Sequence, residues 1–278
     1  MKHFFTILIL SFISVTFFQT STAATVDTIN IYSNVMRKNI RCVVILPESY
    51  KIKTHNYPVV YLLHGHSGNY SDWISKVPQV KNYADEFDEM IVCPDGHVNS
   101  WYFDSEVDTT IKYETYISSE VPHYIDSAYK TISDRKARAI CGLSMGGHGA
   151  LFIAWRHSDI FGAAGSMSGV VDLSHFKNQY QLINVLGDTI KNYETWQKSS
   201  VINVVETATY KQPALIIDCG IKDIFINANQ ELHKKLLGLK IPHDYIERPG
   251  EHNWQYWKNA IQYQLLFFNK FFNNSQAE

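Results

Sequence analysis

The sequence of 278 residues lacks three features that would each have indicated a particular class of protein. Its formal net charge is only -2, which gives no reason to expect a nucleic acid or an anionic membrane as partner. It has four cysteines, and their spacing matches no zinc-binding pattern. Beyond its first residues it has no apolar run of the roughly 20 residues that span a membrane. We therefore expect neither a nucleic-acid partner nor a membrane-embedded domain.

The longest apolar run stands at the start of the sequence. Lys2 precedes an uncharged apolar stretch over residues 4–18, and the small residues at 21–24 suit a signal peptidase. The run is short for a membrane span. We therefore predict a cleaved signal peptide over residues 1–23, a secreted or periplasmic protein, and a single domain over residues 24–278.

Short apolar runs alternate with helix-like segments along the rest of the chain. The strand-like runs are residues 42–46, 59–63, 90–93, 137–141, 163–167, 214–217 and 245–247, and the helix-like segments are 113–129, 147–156, 227–237 and 254–272. This alternation predicts an α/β fold with a mostly parallel sheet and helices on both faces. Residues 172–212 break the alternation, and we expect them to form a small cap insertion.

The four cysteines all lie in or at the end of strand-like runs. They are Cys42, Cys93, Cys141 and Cys219. Export would permit disulfides, but cysteine in a buried strand is more often a small apolar residue. We therefore favour free thiols.

The strongest chemical signal is Gly142-Leu143-Ser144-Met145-Gly146, which follows one strand-like run and precedes a helix-like segment. A Gly-x-Ser-x-Gly turn between strand and helix is the nucleophile elbow of α/β-hydrolases. The turn is sharp, and glycines at 142 and 146 relieve the crowding around it. We predict an α/β-hydrolase fold with Ser144 as nucleophile.

A serine nucleophile needs a histidine as base and an acid that orients the histidine. In α/β-hydrolases the three residues follow one another along the chain in the order serine, acid, histidine. His252 lies in the loop after the last strand-like run, whereas His243 precedes that run and would lie at the other end of the sheet. Two aspartates qualify as the acid. Asp223 lies beyond the turn at Gly220 and could reach the histidine, so we predict Asp223 as the acid and expect Asp218 to tie down the strand end.

The oxyanion formed by serine attack needs two hydrogen-bond donors. One should be the backbone N–H of Met145, and the second should come from the loop after residues 59–63, where Gly65 permits a close turn and the His66 N–H is the candidate. His64 and His66 have no third ligand at a suitable spacing, so we predict no metal site and interpret His64 as a buried structural residue.

The sequence resembles the esterase D-type esterases, which include S-formylglutathione hydrolases, tributyrin esterases, feruloyl and acetyl xylan esterases of carbohydrate esterase family 1, and mycolyltransferases. The resemblance covers about residues 28–272 and is carried by His64-Gly65-x-Ser67-Gly68-Asn69 with Trp73, Asn99-Ser100-Trp101-Tyr102, residues 142–147, Asp218-Cys219-Gly220 with Asp223, and Gly250-Glu251-His252-Asn253-Trp254 with Trp257. It implies the triad Ser144, Asp223 and His252 and the donors Met145 and His66. It also implies a substrate pocket lined by aromatic residues, for which the candidates are Trp101, Tyr102, Trp196 and Trp254.

These observations predict a secreted serine esterase that works through an acyl-enzyme without metal or organic cofactor. Export argues against S-formylglutathione, an intracellular substrate, and favours short-chain or aryl esters, such as acetyl or feruloyl groups on plant polysaccharide. Two alternatives stay open: an acyltransferase of the mycolyltransferase type, and a non-catalytic glycan-binding homologue. The expected partner is a small-molecule or polysaccharide-linked ester, and the oligomeric state is not predicted.

Overall fold

The computed structural model describes residues 23–174, 176, 179–207 and 209–276. The predicted signal peptide over residues 1–23 therefore lies outside the described residues, apart from Ala23. None of the helices in the described part of the chain combines the length and the apolar character that crossing a membrane requires.

The elements alternate between strand and helix along most of the chain. The strands are β1 Thr25–Ser33, β2 Lys38–Leu46, β3 Val59–Leu63, β4 Met90–Pro94, β5 Arg138–Leu143, β6 Ala163–Met167, β7 Ala214–Gly220 and β8 His243–Arg248. The helices are α1 Asp72–Lys76, α2 Val80–Phe87, α3 Tyr113–Thr115, α4 Val121–Ala128, α5 Met145–Arg156, α6 Ile183–Leu186, α7 Tyr193–Ser199, α8 Val201–Val204, α9 Ile226–Gly238 and α10 Trp254–Gln276. A π-helical turn, Tyr116–Glu120, joins α3 to α4, so the predicted helix over 113–129 is one irregular helix.

The strands form one sheet in the order β1-β2-β4-β3-β5-β6-β7-β8. Strands β3 to β8 are mutually parallel, and β1 and β2 are antiparallel to their neighbours. The predicted fold class is confirmed: this is an α/β-hydrolase fold. Because the parallel strands all end at one edge, the loops after β3, β5, β7 and β8 meet there.

The sequence prediction missed strand β1. Its residues alternate between exposed and more buried positions, which is the pattern of an antiparallel strand at the edge of a sheet. The search for continuous apolar runs finds strands buried on both faces and passes over an edge strand of this kind. The polar start of β2, which pairs with β1, was missed for the same reason.

Each face of the sheet carries its own hydrophobic core. In β3, Tyr61 and Leu63 pack into the core beneath α5, while Val60 and Leu62 pack into the core beneath α10. The strand is therefore buried on both faces, as the continuous apolar run predicted. The four cysteines are buried and free, which confirms the prediction of thiols.

The described residues between β6 and β7 form the short helices α6, α7 and α8. Leu182, Val185, Leu186, Trp196 and Val201 belong to the same core as α5. The predicted cap segment therefore packs onto the sheet domain through an apolar face of its own.

One buried carboxyl group gives the stability of the fold a pH dependence. Glu89 is almost fully buried ahead of β4, and Asn269 of α10 donates a hydrogen bond of 3.1 Å to its Oε1. Burial raises the pKa of Glu89 to about 8. Folding thus favours the protonated form, and the stabilisation is present at low pH and lost as the pH rises from the unfolded-state pKa through the folded-state pKa.

We expect Glu89→Gln to remove this dependence, because the amide is neutral at every pH and still offers Asn269 an oxygen. Between about pH 5 and pH 8, the melting temperature of the wild type should fall relative to that of the variant by roughly 5 °C or more. Thermal unfolding across this pH range measures the difference. If the melting temperatures of the wild type and the variant change in parallel with pH, Glu89 has the ordinary pKa of a glutamate in the folded protein.

Candidate active site

Ser144 lies at the tip of the sharp turn between β5 and α5. Its backbone is strained, with φ 54° and ψ -116°, and its N–H donates to the Met167 carbonyl at 2.9 Å. A Cβ at Gly142 would lie 2.6 Å from the Gly146 backbone, and one at Gly146 would lie 2.5 Å from the His64 carbonyl oxygen. Glycine is therefore required at both positions, and the structure forms the predicted elbow.

Three side chains from three loops form a continuous hydrogen-bonded chain. The Nε2 of His252 lies 2.9 Å from the Oγ of Ser144, and its Nδ1 lies 2.9 Å from an Asp223 carboxylate oxygen. A carboxylate only accepts, so Nδ1 carries the proton and Nε2 presents a lone pair to the hydroxyl. The structure therefore brings together the three predicted residues in the arrangement of a Ser-His-Asp triad.

The environment of Asp223 fixes the position of its carboxylate. Asp223 is 3% exposed, and its carboxylate also accepts a hydrogen bond of 2.9 Å from the Phe225 N–H. The Asp223 N–H in turn donates to the Gly220 carbonyl at 2.9 Å, which closes the turn beyond β7. This turn lets the side chain leave the sheet and reach the histidine.

Two aromatic rings hold the imidazole of His252. Phe225 and Trp257 stand nearly perpendicular to it, with ring centroids 4.8 Å and 4.9 Å away. The Trp257 Nε1 donates to the Ser168 Oγ at 3.2 Å, which fixes the indole. No motif indicates a role for Phe225, because only the fold brings it beside the histidine.

Asp218 is a structural residue at the end of β7, as predicted. It is fully buried and accepts hydrogen bonds from Arg248 and from the hydroxyl of Tyr256. Burial outweighs these two partners and raises its pKa to about 6. Asp218 therefore joins β7 to β8 and α10 below the site, and it does not contact His252.

The two predicted oxyanion donors lie on either side of the elbow. Met145 is the first residue of α5, so its N–H has no acceptor within the helix. A Cβ at Gly65 would lie 3.6 Å from that of Ser144, which places the loop after β3 against the nucleophile. In this loop Ser67 and Gly68 bond to backbone carbonyls, and the described residues provide no acceptor for the His66 N–H.

We expect the backbone of this loop to matter more than the His66 side chain. Gly65→Val would push against the buried Leu143 side chain, which lies 2.5 Å from an added Cβ, and would displace the His66 N–H. Loss of one oxyanion donor typically lowers kcat by about 10²-fold or more. His66→Ala keeps the N–H and should lower kcat by less than about tenfold. Steady-state kinetics on one ester compares the two, and equal losses would place the second donor elsewhere.

Ser144 opens into a cavity of about 510 Å³. It is lined by Gly65, His66, Ser67, Gly68, Asp72, Lys76, Trp101, Leu143, Ser144, Val170, Tyr180, Phe225, His252, Asn253, Trp254 and Trp257. Two of the four predicted aromatic residues, Trp101 and Trp254, line this cavity. Its size suits a ligand larger than a single short acyl group.

The other two predicted aromatic residues do not line the cavity. Tyr102 is fully buried, and its hydroxyl donates to the His64 carbonyl at 2.9 Å. Trp196 is buried in the insertion, where its Nε1 donates to the Gly187 carbonyl at 3.0 Å. Both rings satisfy their polar atom within the core, so they are packing residues.

The residues of the cavity that the sequence did not reveal come from separate loops and helices. They are Asp72, Lys76, Val170, Tyr180 and Phe225. None of them stands in a motif that indicates substrate contact, and only the tertiary structure brings them to the cavity.

His64 is a structural residue, as predicted. The Gly96 N–H donates to its Nε2 at 2.8 Å, so its Nδ1 carries the proton and donates to the Gly65 carbonyl at 2.8 Å. Burial lowers its pKa and keeps it neutral. Both ring nitrogens are thus occupied. Nowhere in the described ranges do three or more His, Cys, Asp or Glu side chains converge as metal ligands.

A larger cleft of about 930 Å³ lies at the opposite edge of the sheet. It adjoins the start of β5, where Arg138 forms a 2.7 Å ion pair with Asp126. Because it lies at the opposite end of β5 from Ser144, it has no part in the chemistry at the elbow.

The family model described as "Putative esterase" matches residues 33–268. This chain belongs to that esterase family. The predicted family is confirmed, and the protein is a carboxylic ester hydrolase.

The relatives of this esterase cover most of its length. It is 26% identical to an acetyl esterase of Caldicellulosiruptor saccharolyticus over 261 residues, which span 87% of this chain and 97% of that protein. It is 28% identical to the diacylglycerol acyltransferase/mycolyltransferase Ag85A of Mycobacterium gordonae, over 74% of this chain and 71% of that protein. The solved structure of a ferulic acid esterase matches with a TM-score of 0.77 and 30% identity, over 90% of this chain and 98% of that one.

Proposed function

We propose that this esterase is a secreted serine hydrolase that cleaves short-chain or aryl carboxylic esters through an acyl-enzyme, such as acetyl or feruloyl esters of plant polysaccharide. The observation that carries the proposal is the hydrogen-bonded chain from Ser144 through His252 to Asp223 at the cavity. The acetyl esterase and ferulic acid esterase names among its relatives support the substrate class. The charge and apolar pattern of residues 1–23 supports export.

The geometry supplies each proton transfer of the reaction. The Ser144 Oγ attacks the ester carbonyl while the His252 Nε2 takes its proton, and Asp223 stabilises the imidazolium. The carbonyl oxygen becomes an oxyanion, which accepts hydrogen bonds from the N–H groups of Met145 and His66. The intermediate collapses, the ester C–O bond breaks, and the imidazolium gives its proton to the leaving alcohol. Water, deprotonated by the same histidine, then attacks the acyl-enzyme; the bond from the acyl carbon to the Ser144 Oγ breaks, the imidazolium returns its proton to that Oγ, and the acid is released.

The test is ester hydrolysis by the purified chain from residue 24 onward. The panel comprises p-nitrophenyl acetate, p-nitrophenyl octanoate, methyl ferulate and acetylated xylan, and a fluorophosphonate serves as an active-site label. We expect turnover of the acetyl or feruloyl substrates and a covalent adduct on the peptide that contains Ser144. Absence of both turnover and label would contradict the proposal and favour a non-catalytic, glycan-binding homologue.

Acyl transfer to a sugar hydroxyl is the second candidate, because one relative is named an acyltransferase. The chemistry would be the same until the acyl-enzyme, which an alcohol would attack in place of water. Adding methyl xyloside to the assay separates the two, since a transferase converts most of the acyl group into the new sugar ester. Release of free acid alone identifies a hydrolase.

A further inference from the structure

The residues that line the cavity at Ser144 form two groups of different character. Trp101, Val170 and Phe225 are apolar, and each is at most 5% exposed. Asn253 is polar and exposed, and the Lys76 side chain is 44% exposed. An acyl group of limited size suits the buried apolar residues, whereas an alcohol that continues into a larger molecule must extend past the residues that reach solvent.

His252, Trp257, Trp254 and Lys76 form one wall of the cavity. The ring centroid of Trp257 lies 4.9 Å from that of His252 and 5.4 Å from that of Trp254. The Lys76 ammonium lies 4.7 Å from the centroid of the Trp254 ring. His252 gives its proton to the leaving oxygen, so the alcohol must stand beside the imidazole at that moment. Phe225 also contacts the imidazole but is only 5% exposed, so an alcohol that continues into a larger molecule extends along the wall where Lys76 reaches solvent.

The polar groups of this wall form a matched donor and acceptor. The Lys76 ammonium lies 3.2 Å from the Asp72 carboxylate, and both residues line the cavity. The pair is neutral overall, which offers little net attraction to an anionic ligand. The ammonium still has N–H groups to donate, and the carboxylate still has lone pairs to accept. A donor beside an acceptor is complementary to neighbouring hydroxyl groups.

We infer that Lys76 and Asp72 form a subsite for a polyhydroxyl leaving alcohol, so that the preferred substrate is an ester whose alcohol is a sugar. The inference rests on the proposed function and names the specificity-determining residues on the alcohol side of its site. A cation–π contact with the Trp254 ring holds the Lys76 ammonium at the cavity edge.

The test compares substrates that share an acyl group and differ in the alcohol. One pair is methyl ferulate and feruloylated arabinose, and the other is ethyl acetate and acetylated methyl xyloside. Lys76→Met keeps the length and the apolar stem of the side chain and removes its donors. Lys81→Met, in α2 and outside the cavity lining, is the matched control.

The wild type should prefer the sugar ester of each pair that it hydrolyses. Lys76→Met should lower the ratio of kcat/KM for the sugar ester to that for the simple ester by about tenfold, mainly through KM, and Lys81→Met should keep the wild-type ratio. An equal loss on both esters, an unchanged ratio, or a wild type without preference would overturn the subsite while the esterase proposal stands. No turnover of any of the four esters would instead overturn the proposed function, and the subsite with it.

Discussion

Ser144→Ala is expected to lower kcat by about 10⁴-fold or more, because the hydroxyl that forms the acyl-enzyme is removed. The oxyanion donors and the cavity stay in place, so KM should change far less than kcat. Steady-state kinetics on p-nitrophenyl acetate measures the loss, and the fluorophosphonate adduct should disappear in parallel. Retention of a tenth of the activity would show that another residue is the nucleophile.

Ser144→Gly is the matched control, because it separates the chemistry of the hydroxyl from the strain of the backbone. At φ 54° and ψ -116° any side chain is strained, and a residue in such a region costs about 1–3 kcal/mol. Both variants should be inactive, but the glycine variant should melt several degrees above the alanine variant. Equal melting temperatures would mean that the elbow stores no strain.

Asp223→Asn is expected to lower kcat by about 10⁴-fold. The amide can donate to the imidazole, so it favours the tautomer in which Nε2 carries the proton and no longer accepts one from Ser144. It also no longer stabilises the imidazolium. The measurement is kcat across pH, in which the variant should regain part of its activity at alkaline pH. A loss below about tenfold would assign the acid to another residue.

Asp218→Asn is the matched control for this change, five positions earlier in the chain. Asp218 bonds Arg248 and Tyr256 and does not reach His252. Its replacement should lower the melting temperature, because it weakens a buried ion pair, while the folded enzyme keeps most of its kcat. A variant that keeps its stability and loses its activity would reverse the assignment of the two aspartates.

Local sequence identified the catalytic elements because each of them imposes a constraint on neighbouring residues. Gly142 and Gly146 leave no room for a Cβ, and this constraint is visible in a short motif. The position after the last strand-like run selected His252 over His243, and the turn at Gly220 selected Asp223 over Asp218.

The errors occurred where the sequence pattern carried no such constraint. Strand β1 lies at the edge and is half exposed, so its alternating residues gave no continuous apolar run. Tyr102 and Trp196 were expected at the substrate because they are aromatic, but an aromatic ring serves a core equally well. Their polar atoms find backbone acceptors in the interior, which no motif reveals.

The sequence by itself predicted the fold class and the three side chains that the structure joins in one hydrogen-bonded chain, because each depends on short-range steric rules and on the order of elements along the chain. Only the tertiary structure decided the shape and polarity of the cavity. Lys76, Trp101, Tyr180 and Phe225 reach it from different loops and helices, and their proximity depends on how those segments pack against one another. The physical reason is that catalysis requires a few fixed atoms at one strand edge, whereas specificity arises from surfaces that distant segments build together.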